Sequence, residues 1–281
     1  MSRSMQCRSQ EACEDPACII CTTLPPAEDS SLMAAVCQAL PLSITANTHL
    51  WTEPQLQTSD LATGEVLNVN FWSEQSRVEQ IVKRSNTRPS GKYPSWKTGR
   101  MQQWKSVEVL HLMRLLDFDP AITSFCEQPC EIDYSLNGDV RLHRPDLFVE
   151  VNLEKEIWDV IPASKVLECA ARTVLVRKEL ARLGYIYRIV TELELAKQPR
   201  LQNVQVILWF GRRQASVCER EVVRRIVSRE GYVTWGDAYQ AAYGRIGRET
   251  LCRLVLEGAL VFDLSQPLSS TTKFFGNGRS F

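Results

Sequence analysis

The chain is poor in the residues and motifs that mark the commonest enzyme classes. It has three histidines in 281 residues, with no Ser–His–Asp arrangement, no P-loop and no glycine-rich dinucleotide fingerprint. These absences argue against a triad hydrolase, a P-loop NTPase and a Rossmann oxidoreductase. No run of about eighteen apolar residues occurs, so no membrane-spanning helix is expected. The opening MSRSMQCRSQEAC lacks the apolar stretch of an export signal. The compartment is therefore read as reducing and cytoplasmic, and the ten cysteines as thiols or metal ligands before disulfides. There is no excess charge of either sign, 33 basic side chains standing against 33 acidic ones. With 23% charged and 44% apolar residues, extensive disorder, a collagen repeat and a coiled-coil rod are all excluded.

The balanced total hides an asymmetry. Residues 1–75 carry two basic and nine acidic side chains, whereas residues 76–105 carry eight basic and one acidic. The first segment has little periodicity and several prolines; it reads as an acidic, loosely ordered arm with one short helix over 32–40. Within it, Cys7, Cys13, Cys18 and Cys21 fall in fifteen residues, but only the last two have knuckle spacing. They are candidate Zn2+ ligands, or ordinary thiols. The second segment mixes its cations with Tyr93, Trp96 and Trp104. It reads either as a DNA-contacting strip or as an arm docked on the core.

From Val107 the pattern becomes regular. Val107, Leu110, Met113 and Leu116 recur at the helical period, and the helix ends before Pro120. Extended runs follow at ITSFCEQP and EIDYSL, with a hairpin turn at Asn137-Gly138 and further strands over 140–142 and 146–151. A polar five-residue turn, 152–156, leads into the apolar strand 157–161. A long helix is expected over 164–183, capped by Ser164 and closed by Gly184, then a strand over 185–190 and helices after Thr191 and over 201–210. After residue 210, three short helices and a two-stranded ribbon outline a winged helix-turn-helix. Ser216 and Glu219 form a capping box, and Leu251, Leu254, Val255 and Leu256 read as core. The fold class is thus α/β, a mixed sheet flanked by helices (residues 76–210), followed by a small winged-helix domain (211–281).

Three acids stand where a metal-dependent phosphodiesterase needs them. Glu108 lies on the first core helix, Asp146 follows Pro145 at a strand start, and Asp159 lies thirteen positions on in the next strand. A hairpin places the two aspartates side by side, and a helix across its end can bring in Glu108. Oxygen ligands of this kind suit Mg2+ or Mn2+. A single acid is more often a solvated surface group, but one flanked by Trp158 and Val160 in a buried strand needs a partner, and a metal is one candidate. His143 could touch a phosphate and His111 reads as structural. Cys126 and Cys130 read as packing residues.

The blocks KYPSWKTGRMQQWKSVEVLHLMRLLDFDPAITSFCEQPCEIDY, RPDLFVE, EIWDVIP and TELELAKQPRLQNVQVILWF resemble the TnsA endonuclease family of heteromeric, Tn7-like transposons over roughly residues 83–210. GYVTWGDAYQ through LEGALVFDLSQPL is similar to that family's C-terminal winged-helix portion. The resemblance implies a bacterial protein with a restriction-endonuclease-like core of the PD-(D/E)XK type. It implies cleavage at the 5′ ends of a transposon, double-stranded DNA as substrate, a TnsB-like DDE transposase cutting the 3′ ends, and a TnsC-like AAA+ ATPase. It maps the family's acids onto Glu108, Asp146 and Asp159. The motif lysine has no counterpart, because the chain reads Asp159-Val160-Ile161. Either another cation reaches the same point, Lys165 first and Lys155 behind it, or the site is degenerate and the protein bridges transposase, ATPase and DNA without cutting. Lys92, Lys97 and Arg100 in the basic segment are candidate DNA contacts. So are Arg245, Arg248, Arg253 and Lys273 in the C-terminal module.

Overall fold

The computed structural model describes residues 64–72, 89–239 and 247–278, together with Pro54. The elements in order are β1 (Gly64–Phe71), β2 (Gly91–Pro94), β3 (Met101–Trp104), α1 (Val107–Phe118), β4 (Ile122–Glu127), β5 (Cys130–Leu136), β6 (Asp139–His143), β7 (Leu147–Val151) and β8 (Glu154–Val160). A 3-10 turn (Ala163–Lys165), α2 (Ala170–Arg182), β9 (Ile186–Val190), α3 (Glu192–Leu195) and α4 (Arg200–Phe210) complete the first part. The C-terminal part holds α5 (Val217–Glu230), β10 (Tyr232–Thr234), α6 (Trp235–Tyr239), α7 (Arg248–Leu256), β11 (Leu260–Val261) and β12 (Lys273–Gly276).

A four-stranded mixed sheet, β4-β7-β8-β9, organises the molecule. Its first three strands run antiparallel, and α2 carries the chain over to β9, which joins β8 in parallel. Alternate side chains of β7 and β8 divide between two apolar clusters, as the strand period of two requires. Leu147, Val149 and Trp158 pack with Leu112 and Leu116 of α1. Ile157, Tyr187 and Ile189 pack with Val176 and Leu180 of α2. The helices therefore cover opposite faces, and both aspartates, at the end of the sheet, belong to the α2 side.

Several boundaries differ from the sequence reading. Gly64–Phe71 is a strand, not part of a loose arm; it pairs antiparallel with β5, and Val66 and Val69 pack against the second cluster. The remainder of that arm, including the helix expected over 32–40, lies outside the described residues. The basic segment contains the β2–β3 hairpin. Gly91 is required there because the Trp104 ring lies against its α-carbon; an added Cβ would sit 2.5 Å from the indole. The expected helix start at Ser164 is instead the 3-10 turn, and α2 begins at Ala170. Thr191 and Ser216 do cap α3 and α5, and the full reciprocal capping box forms at Ser216 and Glu219.

The β7–β8 turn is also tighter than the five residues expected. Val151 pairs with Glu154, leaving Asn152 and Leu153 alone at the tip, both with positive φ (48° and 76°). Leu153 is 84% exposed, so nothing it touches offsets this left-handed backbone. Leu153→Gly is expected to raise stability by about 0.5–1 kcal/mol, since relief of the strain outweighs the added freedom of the unfolded chain. The midpoint of urea unfolding measures it, and a lower midpoint would contradict it.

The C-terminal part is not a detached module. Its buried Leu251, Leu254, Val255 and Leu256 belong to the same cluster as α1 and α4. The Asn203 amide of α4 donates to the carbonyls of Leu264 (3.2 Å) and Gln266 (2.8 Å), and its oxygen accepts from Leu268 N. The ribbon gains a third strand, β10, in the order β10-β12-β11.

Candidate functional site

The register of β7 and β8 pairs Leu147 with Trp158, and so sets Asp146 beside Asp159 at the end of the hairpin. Each carboxylate binds the backbone of the other strand. Asp159 Oδ1 accepts from Asp146 N at 3.0 Å, and Asp146 Oδ2 accepts from Val160 N at 2.9 Å. Both residues are buried, at 5% and 3% exposure. Two acids this close and this dry need cations or shared protons, and the structure supplies the cations from two directions.

Asp159 is the more heavily held. Tyr187 on β9 donates its hydroxyl to Oδ2 at 2.5 Å, and His143 Nε2, from the end of β6, lies 2.6 Å from the same oxygen. Burial alone would raise its pKa. The nearby His143 imidazole, the Tyr187 hydroxyl and the charge of Arg172 on α2 outweigh burial and hold the carboxyl far below the usual range, although His143 Nε2 stands off the line of a good hydrogen bond. Burial and the neighbouring Asp159 push the Tyr187 hydroxyl in the opposite direction, well above its ordinary value.

Asp146 meets a single cation. Lys105 Nζ lies 2.7 Å from Oδ1, reaching in from the short link between β3 and α1. The amine stands off the line of a good hydrogen bond, so Oδ1 is buried without a well-aligned donor. Burial raises the Asp146 pKa; Lys105 opposes this and Asp159 adds to it, and the net direction is upward. For Lys105, burial acts downward, but the charge of Asp146 and then Asp159 outweighs it, and the amine stays protonated.

Glu108 lies in the first turn of α1, three residues beyond Lys105 and half-buried. No hydrogen bond or ion pair joins it to the aspartates. Among the described residues no group of three or more acids, histidines or cysteines is arranged to hold a metal ion. Two of the three expected acids thus meet, and the third stands on the element that follows Lys105. The fit to a divalent ion rests on Asp146 Oδ1, a buried acceptor without a well-aligned donor and with the Lys105 ammonium beside it. The two oxygens of Asp159 are already engaged.

Lys165 is exposed in the 3-10 turn and forms no ion pair with either aspartate; the cation that touches the site is Lys105, which sequence reasoning did not single out. Lys155 is exposed on β8, opposite Glu150 and four residues from Asp159, a separation of about 13 Å along a strand. The motif position itself, Ile161, is 4% exposed among Val166, Val176 and Leu180. A lysine there would have to desolvate its charge in an apolar cluster.

The candidate DNA contacts divide. Lys92 is exposed on β2. Lys97 turns inward: its amine donates to the carbonyls of Leu116 (2.8 Å) and Asp119, at the end of α1. Burial lowers its pKa to about 8, against the pull of Asp119 and Asp117. It serves as a cap for that helix rather than as a phosphate contact. Arg100 faces the buried Glu127 at 3.4 Å. The aromatics of this segment are docked as well, with the Tyr93 hydroxyl and the Trp96 indole both bonded to Asp117. Arg248 lies over the Phe210 ring at 4.4 Å, and Lys273 over Tyr232 at 4.0 Å. Arg253 is buried between Glu257 (2.6 Å) and the Trp96 ring (4.7 Å), a strut between the C-terminal part and the basic hairpin. Arg245 and the four N-terminal cysteines lie outside the described residues.

Cys130 is fully buried beside the second cluster, in keeping with a packing role. Among the described residues no helix is long and apolar enough to cross a membrane. No family model matches the chain, and no curated protein matches it.

Proposed function

We propose that this chain is a TnsA-like subunit of a heteromeric DNA transposase, a metal-dependent endonuclease that cuts the 5′ strands at transposon ends. The observation that carries the reading is the buried Asp146–Asp159 pair at the end of a mixed sheet flanked by helices, with one ammonium set against Asp146. Buried paired carboxylates beside a cation are costly to stability, and such arrangements cluster at functional sites. A sheet of this kind suits a restriction-endonuclease-like core, and the C-terminal helices and ribbon suit a winged helix.

In this reading Asp146, through Oδ1, would hold Mg2+ or Mn2+; Asp159 would join only by giving up one of its present donors, and Glu108, half-buried in the first turn of α1, only by moving its side chain. The ion, when bound, would lower the pKa of the attacking water and stabilise charge on the leaving oxygen. Asp159 fixes the position of Asp146 by accepting its backbone N–H, and Tyr187 and His143 fix Asp159 in turn. The water oxygen bonds to phosphorus in line, one bridging P–O bond breaks, the water proton passes to solvent, and the leaving oxygen takes up a proton. Lys92 on the exposed side of β2 and Arg248 at the start of α7 would meet the DNA backbone. The TnsB-like transposase would cut the 3′ strands, and the TnsC-like ATPase would bind the pair.

A second reading has its own observation. Both oxygens of Asp159 are occupied and position 161 is apolar, which fits a nuclease-fold subunit that bridges transposase, ATPase and DNA without cutting. One experiment separates the two. The purified full chain is incubated with its cognate transposase, end-labelled transposon ends and magnesium. The endonuclease reading expects 5′ cuts that fall about a thousandfold in Asp146→Ala, the scale of losing a positioned charge-stabilising group. Intact 5′ strands beside cut 3′ strands, or Asp146→Ala cutting like the parent, would overturn it in favour of the bridge.

A further inference from the structure

We infer that Lys105 is the cation that meets the scissile phosphate in this chain, taking over from the lysine that position 161 lacks. The inference rests on the endonuclease reading and names a group that reading leaves open. Four observations carry it. The Lys105 amine is 2.7 Å from Asp146 Oδ1, the one carboxylate oxygen of the pair with no aligned donor. The Lys105 side chain is 45% exposed while that of Asp146 is 4% exposed, so the lysine approaches from the solvent side, where a DNA strand would arrive. Its backbone is held on both sides: Trp104 ends β3, and Ser106 caps α1 by accepting from Val109 N. Finally, the alternatives fail on position. Lys165 and Lys155 make no ion pair with the acids. Arg172 does act on Asp159, but it stands on α2 with its Nε buried, among Tyr134, Cys169 and Tyr187.

An ammonium at this place has two states open to it. Without DNA it neutralises Asp146. With a phosphate and a divalent ion in place, Asp146 gains a stronger partner, and the four-carbon stem of Lys105 lets the amine swing to the non-bridging oxygens. There it offsets the extra negative charge of the phosphorane. A lysine at position 161 would act from within the α2-side cluster. Lys105 acts from the opposite edge of the hairpin, so the apolar packing around Ile161 is kept whole.

The test uses the full chain with its transposase, labelled transposon ends and magnesium, and compares Lys105→Ala, Lys105→Met and Lys105→Arg. Single-turnover 5′ cutting is expected to fall about a hundredfold or more in the alanine and methionine variants. Arginine should recover part of the rate. End binding by gel shift should change less than threefold; the thermal midpoint is expected to fall, since Asp146 is left buried without its cation, so cutting is compared at a temperature where circular dichroism shows every variant folded. Parent-like cutting by Lys105→Ala and Lys105→Met, or a loss of cutting fully accounted for by lost DNA binding, would overturn the inference while leaving the endonuclease reading in place. If the parent chain itself leaves 5′ strands intact, that reading falls first and this one falls with it.

Discussion

Asp159→Ala is expected to lower the unfolding free energy by about 3–5 kcal/mol, the range for removing one partner from a buried charged network. The carboxylate accepts the Asp146 backbone N–H and the Tyr187 hydroxyl, lies 2.6 Å from His143 Nε2, which stands off the line of a good hydrogen bond, and faces Arg172. Truncation leaves those groups buried with nothing to accept from them. One relief works the other way: Asp146 loses a repelling neighbour. That gain is the smaller, because Asp146 keeps Lys105 and the Val160 N–H. Asp159→Asn should cost less than the alanine, since its carbonyl oxygen can still accept from Tyr187, but its amide nitrogen then faces the Asp146 N–H donor to donor. Urea unfolding followed by circular dichroism reads both variants. An alanine variant within 1 kcal/mol of the parent (a threshold on the scale of a single ordinary hydrogen bond) would mean that Asp159 is not the anchor of the site.

This bears on how cleavage data are read. An alanine at 159 that fails to cut has lost its scaffold as well as a carboxylate, so it says little about metal ligation. Asp146 is the cleaner probe. Its main partner, Lys105, is nearly half exposed and can rehydrate when the carboxylate is removed. On the proposed endonuclease reading, a fall in cutting with stability retained is therefore expected at 146 and not at 159.

The sequence made the central hairpin legible because its signals are local. Alternating apolar residues mark the runs 146–151 and 157–161 and bring Asp146 near Asp159, and Asn137-Gly138 marks the separate β5–β6 hairpin; the register of β7 on β8 was not legible, because the turn between them is two residues and not five. Gly138 does adopt the left-handed backbone that the Asn137-Gly138 turn needs, at φ 87°. Lys105 was hidden for the opposite reason. It is one of eight cations in a thirty-residue stretch, and its contact with Asp146 spans 41 positions. The one available signal was its place directly before Ser106, the cap of the helix bearing Glu108. β1 was missed because GEVLNVNF mixes Asn and Glu into its alternation, and its partner β5 supplies the register. Lys97 and Arg253 looked like surface cations in the sequence. Only tertiary packing, against the end of α1 and against Trp96, turned them into internal struts.

Asp117→Ala should be the second large effect, a loss of about 3 kcal/mol or more from breaking a buried carboxylate with several donors. Asp117 is 1% exposed near the end of α1. Its Oδ2 accepts from the Tyr93 hydroxyl (2.7 Å) and Trp96 N (3.2 Å), and its Oδ1 from the Ser95 hydroxyl (2.7 Å) and Lys97 N (3.3 Å). One side chain thus gathers the turn of the β2–β3 hairpin onto α1. Without it the Tyr93 hydroxyl is left buried and unpaired, the Ser95 hydroxyl keeps only the Thr98 N–H that it accepts, and the turn loses the acceptor for the Trp96 and Lys97 backbone N–H groups. Tryptic cutting within 92–105 should rise in step with the lost stability, because Lys92, Lys97, Arg100 and Lys105 all lie on that hairpin or its exit. Asp117→Asn should lie between the two, since one amide oxygen can replace only part of the carboxylate. The hairpin also delivers Lys105 to Asp146, so on the proposed endonuclease reading loosening it is expected to slow 5′ cutting with Asp146 untouched. Parent-like protease resistance in Asp117→Ala would show that the apolar contacts of Tyr93 and Trp96 hold the hairpin without the carboxylate.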